Sequence, residues 1–316
     1  MTSTPHRLEG VSGSSETLQN LALARGTLDR AGVRRKDPEL LPSLLKDPST
    51  QVLELAAGLA EVVELDHDLA LLLRPPTEQD ASRLAVFLGQ DGDGTAYVGV
   101  VRDDLDPLGA SQWRTLRSVG VLLSDRDAGL FATMLGLANW HAVHTHCPRC
   151  GSRTDPDQSG WIRRCPQDES EHYPRTDPAV IMAVTDDGGR LLLARSPQWP
   201  EGRLSVLAGF VEPGESLEAA VAREVLEEVG VVVDQVRYLG NQPWPFPSSL
   251  MVGFTSHAAD PTLHLDMDEI VEALWVTRDE LREMAAAGRF GFSPSVSIAR
   301  RIIENWYGGP IDQRIE

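Results

Sequence analysis

The chain has 316 residues, 41% hydrophobic and 24% charged, with a formal net charge of -18 at pH 7. That length suits more than one compact core, and the ordinary apolar content describes a globular protein. The negative balance argues against non-specific nucleic-acid binding as the main role, because such binding draws on cationic side chains.

Residues 1–20 are polar and rich in Ser, Thr and Gly, the composition of a mobile tail. They lack the apolar core of a signal peptide. No apolar run in the chain reaches the roughly eighteen residues of a membrane span. A cytoplasmic protein with no membrane contact is expected. Residues 21–140 read as a small mixed α/β domain. The runs 69–74, 84–89 and 96–101 read as strands, the last two joined by an Asp91-Gly92-Asp93-Gly94 turn. Leu130, Met134, Leu137 and Trp140 recur at helical spacing and predict a helix from Asp125 to about His144, with that stripe in the core.

Residues 141–176 hold all three cysteines, too few for a disulfide framework. Cys147-Pro-Arg-Cys150-Gly151 has the spacing of a zinc knuckle, and Cys165 follows after a polar loop. Asp168 stands where a fourth cysteine of a zinc ribbon would stand, and His172 is a second candidate. Three thiolates with one oxygen or nitrogen ligand satisfy tetrahedral Zn²⁺. The competing reading is a metal-free ribbon held by packing. In either reading the element is structural.

Residues 177–316 form the third region. Runs at 179–184, 190–194, 231–239, 250–256 and 272–276 read as strands of a mixed sheet, with helices at 278–287 and 296–306. The decisive stretch is Gly209 to Val231, with six acidic residues among apolar ones. Ser216 is an N-cap candidate and Gly230 a natural helix stop. Between them Leu217, Ala220, Val221, Val225 and Val229 supply a buried stripe. On that helix Glu224, Glu227 and Glu228 share one side, expected to face away from the core. Like charges at such spacing repel unless a hard cation such as Mg²⁺ or Mn²⁺ binds between them. The plain alternative is a solvated acidic helix.

This stretch resembles the signature of the Nudix hydrolases. Gly209, Glu215, Arg223, Glu224, Val225, Glu227, Glu228, Gly230 and Val231 fit each fixed position of that pattern. Further on, Gln242-Pro243-Trp244-Pro245-Phe246-Pro247-Ser248-Ser249 reads as a stiff loop, since three prolines in five residues exclude helix and central strand. Its rings suit either the recognition of a flat base or the filling of a gap in the core. Placed after a Nudix signature, the stretch is similar to the motif of the NADH pyrophosphatases, the NudC subfamily. Asn241 stands where that motif has Ser, and the absent fourth cysteine is the other departure.

The resemblance implies an α+β chain, in which a Nudix α/β/α sandwich follows the zinc ribbon and the N-terminal domain. It implies cleavage of the diphosphate of NAD(H) into NMN(H) and AMP, removal of NAD caps from RNA, and a homodimer. It casts Glu224 and Glu228 as ligands of Mg²⁺ or Mn²⁺, and Glu227 as a ligand or the base for water. The Ala208 carbonyl and Glu269 join the metal, and Glu215 orients Arg223. Tyr173, Arg117 and Ala299 fall at the substrate, with Phe210 as a second stacking ring or a core residue. A Nudix hydrolase of ADP-ribose or dinucleoside polyphosphates is the nearest alternative, and a non-catalytic nucleotide sensor is an alternative of another class.

Overall fold

The structure, a computed structural model, describes residues 17–65, 68–103, 112–287, 291 and 294–311. Most of the expected tail, 1–16, lies outside them. Residues 17–20 do not behave as a tail. The Leu18 amide donates to the Leu239 carbonyl at 2.7 Å, and Leu18 and Leu21 pack into the core of the C-terminal sheet.

The N-terminal region is a seven-stranded mixed sheet backed by helices. Its strands are β1 (Gln51–Ala56), β2 (Leu59–Leu65), β3 (Asp68–Leu71), β4 (Leu73–Arg74), β5 (Ala85–Gln90), β6 (Ala96–Arg102) and β7 (Trp113–Thr115). The order β3-β2-β1-β6-β5 makes β1 and β6 a central parallel pair. The first two strands were not expected individually. Their hairpin turns on Ala57 and Gly58, both at positive φ, and Ala57 gives no turn signal in the sequence. Three helices accompany the sheet, α1 (Leu40–Leu44), α2 (Leu116–Val119) and α3 (Asp125–Val143). Helix α3 is capped by Ser124 and buries Leu130, Met134, Leu137 and Trp140, as its periodicity predicts. Segment 17–26 then crosses α3 where Gly26 meets Gly129; a Cβ on Gly129 would lie 2.7 Å from the Gly26 Cα.

The ribbon is a three-stranded sheet of β8 (Asp155–Asp157), β9 (Ile162–Arg164) and β10 (Glu171–His172). It is bound to α3 through buried His141, whose Nε2 meets the Gly160 carbonyl at 2.8 Å and whose Nδ1 meets Arg163 Nη1 at 3.0 Å. Burial lowers the His141 pKa to about 4, so the ring is neutral and accepts from the guanidinium.

The C-terminal region contains β11 (Asp177–Asp186), β12 (Leu191–Arg195), β13 (Leu207–Phe210), β14 (Asp234–Trp244), β15 (Ser249–Ala258) and β16 (Glu272–Val276). The order is β14-β15-β11-β12-β16, with β13 paired to β11 and β15 parallel to β11. Along β11, Val180, Met182 and Val184 face helix α4 (Leu217–Val229), while Ile181 and Ala183 face the other side. There α5 (Arg278–Ala286) contributes Leu281, and α6 (Ile298–Tyr307) contributes Ile302, Ile303 and Trp306. The period-two alternation of one buried strand thus builds both cores of an α/β/α sandwich.

Two boundaries differ from the sequence reading. Strand β14 starts at Asp234 rather than 231 and continues through Gln242, Pro243 and Trp244, so the proline-rich loop begins only at Pro245. Proline is tolerated there because β14 has a strand partner on one side only. Gly209 also lies on a short strand, β13, rather than in a loop.

Candidate active site

Ser216 caps α4 as expected, its hydroxyl accepting from the Ala219 amide at 3.1 Å, and Gly230 ends the helix in the left-handed conformation. Ala220, Val221, Val225 and Val229 are completely buried. The acidic side chains do not all face away from that core. Glu224 is 9% exposed and Glu228 8%, while Glu227 stays exposed. The reason is β13. Gly209 lies directly over Glu224, and a Cβ at that position would sit 1.9 Å from its carboxyl carbon. Only glycine lets the carboxylate tuck against the strand.

Arg223 organises the rest. It donates to Glu215 at 2.6 and 3.1 Å, to Glu224 at 2.8 Å, to Glu227 at 3.0 Å and to the Phe210 carbonyl at 3.0 Å. Its pKa is raised, chiefly by Glu215. Glu215 also accepts from the Glu212 amide at 2.7 Å, which closes the loop before the helix. Hydrogen bonds from Arg223 and from that amide hold Glu215 below the usual carboxylate range.

Glu228 has no such partner. Its Oε2 is buried without a hydrogen bond, and burial, followed by the Glu224 and Glu269 charges, pushes its pKa up to about 8. Burial likewise raises Glu224. Glu269 is brought in by the 264–270 turn, which is sewn to the end of α4 by His264 N–H to Val229 carbonyl and Asp266 N–H to Glu228 carbonyl, 2.8 and 3.0 Å. Crowded carboxylates, one of them orphaned and buried, under a glycine that a side chain would fill, fit a hard divalent cation with oxygen ligands. Ala208 adjoins them on β13, opposite Ile181.

The ribbon's metal-ligand set also comes together. One ligand atom each from Cys147, Cys150, Cys165 and Asp168 lies within 4.8 Å of all the others. Cys150 and Cys165 sulfurs are 3.5 Å apart, and Cys147 Sγ is 3.5 Å from Asp168 Oδ2. Tetrahedral Zn²⁺ with Zn–S of about 2.3 Å puts its ligands roughly 3.7 Å apart, so the set fits. The Ser170 hydroxyl and amide hold Asp168 ionised. His172 is outside this set and bonds Ser170 Oγ at 3.0 Å.

The proline-rich stretch divides. Gln242 is 0% exposed; its carbonyl oxygen accepts from the Leu23 amide at 3.1 Å and its Nε2 donates to the Val296 carbonyl at 2.9 Å. Both ends of the amide are used inside the protein. Trp244 and Phe246 meet edge to face at 4.8 Å and pack against the core of the N-terminal sheet. Of the two readings for these rings, gap-filling is the one this contact realises. The exposed Arg117 lies over both, 4.3 Å from the Phe246 centroid and 5.3 Å from that of Trp244. Asn139 of α3 donates to the Pro245 and Pro247 carbonyls at 3.0 and 3.1 Å. Asn139 escaped the sequence reading; a lone amide on an apolar helix was its only signal. Ser248 donates to Asp177 at 2.8 Å, and Ser249 pairs with Asp177 across the sheet.

Tyr173 and Phe210 are 66% and 60% exposed, so Phe210 is not a core residue. The Tyr173 hydroxyl donates to Glu171 at 2.7 Å. Ala299 is buried at the start of α6, and no surface is left for it to offer a substrate within one chain.

Residues 175–296 match the NUDIX domain family, and residues 143–173 match the NADH pyrophosphatase zinc ribbon domain. The chain is 40% identical to a Mycobacterium bovis (strain BCG / Pasteur 1173P2) protein named NAD-capped RNA hydrolase NudC, over 321 residues of alignment that span 95% of this chain and 99% of that one. A Mycobacterium tuberculosis (strain ATCC 25618 / H37Rv) protein of the same name has the same identity and coverage. Human NAD-capped RNA hydrolase NUDT12 is 39% identical over 196 residues, 58% of this chain and 42% of that protein.

Proposed function

The chain belongs to the Nudix hydrolases, in the branch that carries the NADH pyrophosphatase zinc ribbon, and we propose that it hydrolyses the diphosphate of NAD(H) and of NAD-capped RNA 5′ ends. The products are NMN(H) and AMP, or NMN and a 5′-monophosphate RNA. The observation that carries the reading is the carboxylate cluster of Glu224, Glu228 and Glu269, in which Glu224 is bonded to Arg223 and a Glu228 oxygen is left unpartnered.

Glu224, Glu228, Glu269 and the Ala208 carbonyl would hold Mg²⁺ or Mn²⁺. When bound, such an ion neutralises the diphosphate and acidifies water. Glu227, exposed and 3.0 Å from Arg223, takes the proton of the attacking water as one P–O bond of the anhydride breaks. Glu215 holds Arg223, and Arg223 fixes the directions of Glu224 and Glu227; both are positioning residues. Phe210 and Tyr173 offer exposed ring faces for a base, and Arg117 offers a guanidinium to phosphate or ribose beside the Trp244–Phe246 pair. Gln242 acts through the fold by fixing the strand that leads to that pair. Zn²⁺ in the ribbon is structural. A homodimer in the cytoplasm is part of the same reading. Exposed Leu226 and Val232 support self-association.

Steady-state kinetics on NADH, NAD⁺, NAD-capped RNA and ADP-ribose, each with Mg²⁺ and with Mn²⁺, test the proposal. The expected result is kcat/KM highest on the three nicotinamide substrates, with AMP or 5′-monophosphate RNA as product. A preference for ADP-ribose would transfer the enzyme to the alternative substrate class.

A further inference from the structure

The helix that carries the glutamates stops at Gly230, and that position meets two separate demands. The first is conformational. Its φ of 71° is left-handed, which glycine adopts freely and asparagine tolerates. The second is spatial. A Cβ on Gly230 would lie 2.7 Å from the His264 Cβ, 3.1 Å from the His264 carbonyl oxygen and 3.3 Å from the His264 amide nitrogen. The carbonyl and the amide are main chain, so the chain at His264 would have to shift to admit any side chain at 230.

The segment resting on Gly230 is the one that delivers Glu269. The His264 amide donates to the Val229 carbonyl at 2.8 Å and the Asp266 amide to the Glu228 carbonyl at 3.0 Å. Both acceptors belong to the last turn of α4, whose carbonyls have no helical partner of their own. The chain then turns back. The Asp266 carbonyl accepts from the Glu269 and Ile270 amides at 3.1 and 2.8 Å, and Asp266 Oδ1 accepts from the Asp268 amide at 3.0 Å. Leu263, Leu265 and Ile270 pack on the core beneath α4, and the Val271 amide donates to the Arg195 carbonyl at 3.0 Å. The turn is therefore fixed on both flanks, while Asp266 to Glu269 stay exposed at its tip. Glu269 is close enough to Glu224 and Glu228 for its charge to act on both.

We propose that Gly230 is a positioning residue for Glu269. The missing side chain seats the 264–270 turn on the end of α4, and that seat brings the Glu269 carboxylate to the cation held by Glu224 and Glu228. The proposal rests on the reading of the carboxylate cluster as a divalent-cation site. Helix α4 keeps its own glutamates whether or not the turn is seated, so losing the seat removes one ligand and leaves the others.

The test variant is Gly230→Asn, which adds a Cβ but keeps a residue that tolerates the left-handed stop. Mn²⁺ binding is measured without substrate, by electron paramagnetic resonance, on chains with zinc in the ribbon. Wild type, Gly230→Asn, Glu269→Gln and Gly230→Asn/Glu269→Gln are compared. Losing a group that orients a metal ligand typically costs 10- to 100-fold in affinity, so Gly230→Asn should raise the Mn²⁺ Kd by about tenfold or more. In the Glu269→Gln background the same change should cost no more than about twofold, because the ligand it places is already gone. A merely structural role for the glycine would lower affinity equally in both backgrounds. Gly230→Asn/His264→Gly removes the nearest clashing atom and should recover most of the affinity, and it decides the matter if Gly230→Asn alone does not fold. Wild-type Mn²⁺ affinity in folded Gly230→Asn, losses that multiply with Glu269→Gln, or no recovery with His264→Gly would each overturn the seat. Wild-type affinity in Glu269→Gln would remove Glu269 from the metal and the proposal with it. A wild-type chain that binds no Mn²⁺ would instead overturn the cation site itself, a distinct outcome.

Discussion

Gly209→Ala isolates the contact on which the carboxylate cluster depends. The new Cβ would lie 1.9 Å from the Glu224 carboxyl carbon and 2.2 Å from each of its oxygens. Ordinary non-bonded contact begins near 3.5 Å, so the carboxylate must retreat by roughly 1.5 Å. Gly209 is not at positive φ, so the backbone of β13 accepts alanine without strain. Retreat breaks the 2.8 Å bond to Arg223 and moves Glu224 away from Glu228. Misplacing a catalytic group by about 1 Å costs on the order of a hundredfold, so kcat on NADH should fall about 10²- to 10³-fold, equivalent to roughly 3–4 kcal/mol. The apolar core beneath α4 is untouched, so the melting temperature should move by no more than a few degrees. The control is Gly209→Ala/Glu224→Ala, which should be no slower than Glu224→Ala alone, because the clash has lost its target. A Gly209→Ala enzyme within about threefold of wild-type kcat, or a double variant in which the two losses multiply, would refute this account of the glycine.

Glu227→Gln keeps size but removes the proton acceptor, so kcat should drop steeply with KM little changed; near-normal turnover in Mg²⁺ would remove Glu227 from the chemistry. Asp168→Ala should lower zinc content in metal analysis of purified protein, whereas His172→Ala, outside the ligand set, should leave about one zinc per chain. Gln242→Leu orphans the buried Leu23 amide and Val296 carbonyl at about 1–3 kcal/mol each, so a thermal melt should fall by several degrees, and an unchanged melt would contradict the role of that amide. Glu228 titrates near 8 when folded without metal and in the usual carboxylate range when unfolded. The unfolded state therefore loses its proton first, and stability in EDTA should decline as pH rises from about 5 to 8. Mg²⁺ should stabilise more at pH 8 than at pH 6, and a melt in EDTA that is flat across that window would dispose of the buried proton.

The catalytic helix was legible because its constraints are local. A cap, a stop, an apolar stripe and paired glutamates lie within one short stretch, and each appears in the fold where its spacing puts it. Burial of Glu224 and Glu228 was not legible, because it depends on β13 passing over the helix, a long-range contact written only as one glycine. The same limit explains β14. Pro243 argues against a strand unless the strand is an edge, and edge position is a property of the whole sheet. Gln242 and Asn139 sit in motifs of rings and apolar residues, yet their partners lie 219 and 54 residues away for Gln242 and 106 for Asn139, beyond any local pattern. Arg117 is the converse case. It enters only through the family resemblance, and the fold sets its guanidinium directly over Phe246.

These long-range contacts give the N-terminal region a place in the chemistry. The loop after β14 is held from both sides; on the sandwich, Ser248 and Asp177 exchange two hydrogen bonds of 2.8 Å. Its carbonyls are held by Asn139 of α3, its rings rest on the N-terminal core, and Gln242 is clamped by Leu23 of the crossing segment. A sandwich alone would keep Glu224, Glu227 and Glu228 on a capped helix, and with them the capacity to assist attack on a diphosphate. It would lack the surface that fixes Trp244 and Phe246. Rings fixed in advance cost less conformational entropy on binding than rings that must be ordered by the ligand. On the proposed function the glutamate helix would supply the reaction, and the contact between the two regions would bear on substrate only through Arg117, which lies over the packed Trp244–Phe246 pair.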